Sequence, residues 1–266
     1  MIARLVSSAF GILMVGFLIL PLIVILPLAF TSGLLLIYPI PSFSLRWFVQ
    51  LFSEDVWRRS IVNSLIIGLG ATALATTLGL IASLGLRWRP PLIGTFALTL
   101  FMLPMVVPAV VLGIGMQILM SRLGLANSYI AVIVAHTVVA IPFVVVSVSG
   151  SLAAIDPKIE KAAGSLGASP FRVLLKITLP LATPGVLTGA VLAFATSLDE
   201  VVLTLFVAGP NQRTLARQMF ASIRDNISPV IAAAAFLFIS GTLTVAAIIA
   251  LVRASRAKAM RKQTLS

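Results

Sequence analysis

A chain of 266 residues that is 60% hydrophobic and 10% charged, with a mean hydropathy of +1.15, is too apolar for a soluble domain, which is about half apolar and about a quarter charged. Its apolar residues come in runs of 20 or more, long enough for membrane-crossing helices and unlike the short alternating strands of an outer-membrane barrel. The net charge of +12 lies in short segments between those runs, where Lys and Arg set orientation rather than bind nucleic acid, and the lack of cysteine excludes disulfides and thiolate metal sites.

The pattern predicts an all-α polytopic membrane protein, a single transmembrane domain over 1–266 with six spans. The first, about 5–30, is longer than the apolar region of a signal peptide and reads as a retained span. The second, about 61–86, carries Ala71, Ala75, Gly79 and Ser83 at four-residue spacing, a small-residue stripe that admits a neighbouring helix closely. GLGATA at 68–73 imitates a dinucleotide fingerprint, but no strand precedes it, so no phosphate site is expected.

The third span, about 93–119, contains Pro104 and Pro108, each of which removes a backbone donor and bends a helix. The fourth, about 129–151, holds Pro142 and the single histidine, His136. Ser147, Ser149 and Ser151 lie 11 to 15 residues from it. That is about 16–22 Å along a helix, too far for a catalytic pair. Only a serine from elsewhere leaves room for a hydrolase, and a packed or pore-lining histidine is the simpler expectation.

Residues 152–184 form the longest loop on the side expected to be cytoplasmic, with two helix starts of one design. Asp156 precedes Pro157 and Ser169 precedes Pro170, a capping side chain followed by proline in the first turn. One helix is expected from Pro157 to Leu166, with Gly167 making the turn after it. A second is expected from Pro170 to Leu179, stopped by Pro180 and Pro184. Together they make a compact helix–turn–helix at the membrane surface, suited to docking a partner or to lying on headgroups.

The fifth span, about 185–208, contains the adjacent acids Asp199 and Glu200, two of only seven in the chain. Each costs about 2.5–3.5 kcal/mol at a span centre. Asp199 lies about 21 Å past Gly185, beyond the midplane. Ser197-Leu198-Asp199-Glu200 reads as a capping box, with Ser197 capping a helix that restarts in the membrane and Glu200 reaching back to its backbone. Asp199, about 100° around the helix, is then freer to meet a cation. Between 209 and 228 a short amphipathic helix is expected, with Leu215, Met219 and Ile223 on one face, offering a surface to an external partner. The sixth span is about 229–252.

Six spans put both termini on one side. With that side cytoplasmic, the inner segments hold twelve basic residues, including Arg87, Arg89, Lys158, Lys161, Arg172, Lys176 and a cluster from Arg253 to Lys262, against seven outside. The positive-inside rule favours that orientation.

The loop stretch EKAAGSLGASPFRVLLKITLP resembles the cytoplasmic signature of binding-protein-dependent ABC importer permeases, an acidic-Ala-Ala start, a glycine and an Ile-x-Leu-Pro end. Ala162, Ala163, Gly167, Phe171, Ile177, Leu179 and Pro180 fit it; Lys161 stands where the family carries glutamate, with Glu160 one position earlier. SLDEVVLTLFVAGP followed by ISPVIAAAA resembles the spermidine/putrescine branch, and the likeness covers most of residues 55–255. It implies a type I ABC importer permease fold in the bacterial inner membrane. It also implies a second permease subunit as a heterodimer, two copies of a cytoplasmic ATPase and an external substrate-binding protein.

The chain has no G-x-x-x-x-G-K phosphate loop, so it is not expected to be an enzyme. It needs no cofactor of its own, and ATP and Mg belong to the partner ATPase. By the resemblance, Glu160, Lys161, Ala162, Ala163, Gly167 and Phe171 form the ATPase-coupling joint. There the small residues allow close approach and Phe171 packs the two loop helices together. Asp199 and Glu200 are assigned to the substrate pathway, which suits an organic cation such as a polyamine. The rival is an ion-coupled secondary transporter using Asp199 and Glu200. It leaves the docking signature unexplained, and no internal repeat is seen.

Overall fold

The computed structural model describes residues 2–225, 227–244 and 247. The fold divides into two compact units, Met1–Arg58 with Gln218–Thr242, and Arg59–Arg217 with Leu243–Ser266. Among the described residues it is helical apart from one isolated antiparallel bridge, Thr31 to Phe43.

In the first unit α1 (Ile2–Leu28) is exposed from Ser7 to Ile25. A helix so apolar and so uncovered belongs in lipid. The chain then loops back on itself, Ser32 N donating to Ser42 O at 3.0 Å and Ser44 N to Phe30 O at 2.8 Å. α2 (Arg46–Ser53) turns Trp47 and Leu51 inward. Phe48 and Phe30 meet Phe236 of α12 (Val230–Thr244) edge to face, ring centroids 5.6 and 5.2 Å apart, a favoured arrangement of aromatic quadrupoles.

In the second unit α3 (Asp55–Leu86) continues from Arg59 and is followed by α4 (Pro91–Val106), α5 (Ala109–Arg122) and α6 (Tyr129–Ala153). α7 (Pro157–Ser165), α8 (Pro170–Val173), α9 (Leu179–Asp199) and α10 (Val202–Val207) follow, and α11 (Leu215–Asp225) passes into the first unit at Gln218. α6 packs tightly along α9. A Cβ on Gly189 would stand 2.9 Å from Val144 Cα, and one on Gly185 would stand 2.6 Å from Ser147 O, so only glycine permits the approach. The small-residue stripe of α3 does what its spacing predicts. Ala71, Ala75 and Ser83 are buried, Gly79 abuts Val144, and Ser83 Oγ donates to Gly79 O at 2.8 Å and reaches Val145 O at 3.3 Å. Two apolar clusters result. Ile67, Val132 and Leu203 centre one, and Ala75, Val148 and Leu152 centre the other.

Among the described residues four helices are long and apolar enough to cross a membrane: Ser7–Leu28, Asp55–Leu86, Tyr129–Ala153 and Pro170–Asp199. The expected third span is not one kinked helix. α4 and α5 meet at 99°, and they make a fifth span only if the bent pair is counted as one. Pro108 is the cause, because a residue before proline is driven out of the helical region. Val107 is extended at φ −68°, ψ 130°, whereas Pro104 sits inside α4 without breaking it. Six spans are therefore an approximate count. The sixth expected span begins with α12, but its end at 252 and the basic cluster from Arg253 to Lys262 lie outside the described residues.

The second loop helix also differs from expectation. α8 does not stop at Pro180 but runs through a π-helical turn, Leu174–Thr178, into α9, so the fifth span begins at Pro170. The proline has no N–H to give, and the widened turn absorbs that loss, with Leu179 N bonded to Leu174 O five residues back.

Candidate coupling joint and helix break

α7 forms as its caps dictate. Asp156 Oδ1 accepts from Lys158 N at 2.9 Å, and the helix closes in a Schellman turn. Ala168 N donates to Ala163 O at 3.1 Å and Gly167 N to Gly164 O at 2.9 Å, with Gly167 at φ +84°. Ser169 Oγ caps α8 through Arg172 N at 3.4 Å.

The joint itself is an ion pair that the sequence did not reveal. Glu160 Oε1 accepts from Arg87 Nη1 at 2.8 Å and from Thr178 Oγ1 at 2.6 Å, and Arg87 Nη2 reaches Ile155 O at 3.4 Å. Both charged side chains are only 10% exposed. One carboxylate thus ties α7 to the residue that follows α3 and to the π turn that leads into α9. Beside it opens a cavity of about 510 Å³ lined by Arg87, Trp88, Glu160, Lys161 and Val173.

The coupling residues named from sequence fall into two groups. Glu160 points into the fold, whereas Lys161, Ala162 and Gly167 are exposed and Ala163 is half-buried. Phe171 does not pack the loop helices together; it is 69% exposed, with Leu166 at 89% and Ile159 at 47%. α8 must turn Val173 and Thr178 inward to continue into α9, which leaves Phe171 outside. Arg87 and Thr178 were missed. Their only signal was a basic residue at a span end and a threonine inside the Ile-Thr-Leu-Pro run.

The second site is the break after Asp199. Glu200 is extended at φ −75°, ψ 106°, and α10 starts at Val202. A break was expected here, but Ser197 does not cap it. Glu200 performs that role instead, its Oε1 accepting from Leu203 N at 2.9 Å. Ser197 remains inside α9 and bonds His136. Turned from the buried face, Asp199 is exposed and Glu200 half-buried.

His136 does meet a serine, across 61 residues of sequence, with Nδ1 2.8 Å from Ser197 Oγ. Its other nitrogen is 2.9 Å from Thr204 Oγ1 and the ring is fully buried, so no carboxylate orients it and no substrate reaches it. This is a packed histidine rather than a hydrolase site.

The amphipathic helix expected beyond the break is α11, but its inward side is Leu215, Ala216 and Gln218, and Ile223 is exposed. The segment leading to it is tied down by Asn63, whose Nδ2 donates to Asn211 O and Arg213 O at 2.9 Å each, and by Tyr129 OH, which donates to Asn63 Oδ1 at 2.7 Å.

Residues 75–258, which span both sites, match the family described as binding-protein-dependent transport system inner membrane component. The chain belongs to that family. It is 30% identical over 244 residues, 90% of each chain, to the spermidine/putrescine transport system permease protein PotC of Escherichia coli K12. It is 32% identical over 262 residues to the putrescine transport system permease protein PotI of the same organism, covering 94% of this chain and 92% of PotI. Its fold matches a chain of a bacterial ABC transporter that imports alginate, with a TM-score of 0.69, 14% identity, and coverage of 93% of this chain and 95% of that one. The architecture is therefore that of an ABC transporter permease, and as a family member this chain is an inner-membrane component of an import system.

Proposed function

We propose that the chain supplies half of the translocation pathway of an ATP-driven importer. It pairs with a second permease subunit, and two copies of an ATPase dock on α7. An extracytoplasmic binding protein delivers the cargo. The α7–α8 joint carries this reading: it presents Ile159, Leu166 and Phe171 outward while Glu160 anchors it inward to two spans. An exposed apolar patch held on a rigid ion-paired base is what a partner needs in order to move the membrane helices. The ATPase supplies nucleotide chemistry, and ATP and Mg stay on it. Both units serve one permease domain, with α7 and both termini cytoplasmic.

Displacement of α7 pulls Thr178 through Glu160. From there α9 is a stiff lever of 21 residues, about 31 Å, ending at Asp199. Asp199 faces the pathway and meets the cargo's charge, while Glu200 holds the break. PotC and PotI are both polyamine permeases by name, so a flexible organic cation is the cargo.

The experiment is putrescine uptake into proteoliposomes containing the chain with its partner subunits. Uptake should need ATP and the binding protein, and Asp199→Asn should lower its rate and affinity. Uptake driven by a proton gradient without ATP would overturn the reading in favour of ion-coupled transport through Asp199 and Glu200. Uptake of an anionic solute instead of putrescine would overturn the cargo alone.

A further inference from the structure

The imidazole of His136 touches both sides of the helix break. Ser197 stands on the last turn of α9 and Thr204 on α10, and the ring from α6 reaches both hydroxyls, at 2.8 and 2.9 Å. All three side chains are at most 2% exposed. The Nε2–H tautomer satisfies every contact. The Thr204 hydroxyl hydrogen has its acceptor in the Glu200 carbonyl at 2.9 Å, which leaves the Thr204 oxygen to accept from Nε2–H and Nδ1 to accept from the Ser197 hydroxyl. The chain of donors therefore runs from Ser197 through His136 and Thr204 to the carbonyl at the break itself. On the other side of that peptide the Glu200 carboxylate holds Leu203 N.

We propose that His136 is a positioning residue for the translocation site. It staples the ends of α9 and α10 in one register, so that Asp199 is presented from a break of fixed geometry. This rests on the reading that Asp199 lines the pathway. A broken span has free peptide groups that lipid cannot satisfy, and without a cross-link its two halves would hinge as α9 is pulled from its Thr178 end. With the staple, α6, α9 and α10 move as one piece and the pull reaches Asp199. An apolar side chain of equal size fills the space but leaves the Ser197 hydroxyl without its acceptor and Thr204 without its donor.

The test uses the assembled transporter in nanodiscs, with its ATPase and binding protein. Hydrogen exchange is measured over the peptide containing Leu203 and Leu205, alongside putrescine uptake. His136→Leu should speed exchange there about tenfold, the equivalent of one lost hydrogen bond. It should raise the KM for putrescine several-fold while basal ATP hydrolysis and subunit stoichiometry stay unchanged. His136→Gln, which keeps a donor and an acceptor, should restore most of both. Where His136→Leu fails to assemble, Ser197→Ala and Thr204→Val each cut one end of the staple and should give the same pattern. Unchanged exchange overturns the proposal. So does a glutamine variant no better than leucine, or an uptake loss that merely tracks the amount of assembled complex at constant KM. Faster exchange in a transporter that takes up no putrescine even when unaltered supports the staple and overturns only the cargo assignment.

Discussion

Replacing Glu160 by glutamine removes the charge that satisfies Arg87 and keeps the shape. The guanidinium is then left 10% exposed without its counter-charge, though Ile155 O still accepts from it and the side-chain amide can still meet Thr178. Breaking a buried pair from one side costs about 3–5 kcal/mol. The cavity of about 510 Å³ beside it gives water a route to Arg87 and favours the lower end. About 3 kcal/mol is about two powers of ten in any equilibrium that requires the joint. ATP hydrolysis and uptake should separate in proteoliposomes: Glu160→Gln should still hydrolyse ATP but import less per ATP, and the complex should melt several degrees lower in detergent. Removing both charges, as Glu160→Met with Arg87→Met, should recover much of the melting temperature, because no unpaired charge is left inside. Unchanged melting and coupling in Glu160→Gln would refute the joint. A double variant as unstable as the sum of the singles would show that the two side chains do not act as a pair.

Four further outcomes are expected. Gly185→Ala forces a methyl to 2.4 Å from Ser151 Cβ and 2.6 Å from a backbone oxygen, and should destabilise the α6–α9 pair by about 1–3 kcal/mol, read as a lower melting temperature. Asn63→Ala removes two donors to the 211–213 backbone and should lower stability more than Tyr129→Phe, each bond being worth about 0.5–1.5 kcal/mol. Phe171→Ala, at an exposed position, should leave the isolated chain's melting unchanged but weaken ATPase co-purification. Glu200→Gln keeps an acceptor for Leu203 N and should transport near normally, whereas Glu200→Leu should expose the break to faster hydrogen exchange.

Local chemistry made the helices and several of their ends legible from sequence alone. Asp156-Pro157 and Ser169-Pro170 start helices where expected, and Gly167 takes the positive φ that ends α7. The apolar runs mark the spans because a peptide group in lipid must bond within its own helix. The two adjacent acids mark a real interruption, since charge and unpaired backbone tolerate the same wet or protein-lined places. Such signals act over one or two turns, and the helix starts at Pro157 and Pro170, the turn at Gly167 and the break at Glu200 are decided at that range.

Tertiary packing decided what reached across longer distances. Glu160 chose Arg87, 73 residues away, over a partner outside, because α7 lies against the end of α3. Ser197 turned to His136 rather than to its own cap, and Glu200 took the cap in its place. Pro180 failed to stop a helix because a π turn absorbed its missing donor, and Pro108 bent the chain by 99° where only a kink was expected. A side chain's partner depends on which helix faces it, and helix faces are set by the close packing of glycines such as Gly79, Gly185 and Gly189 against Val144 and Ser151. Residue spacing along one chain does not contain that information, because the contacts join segments far apart in sequence, 73 residues for Glu160 and Arg87 and 61 for His136 and Ser197.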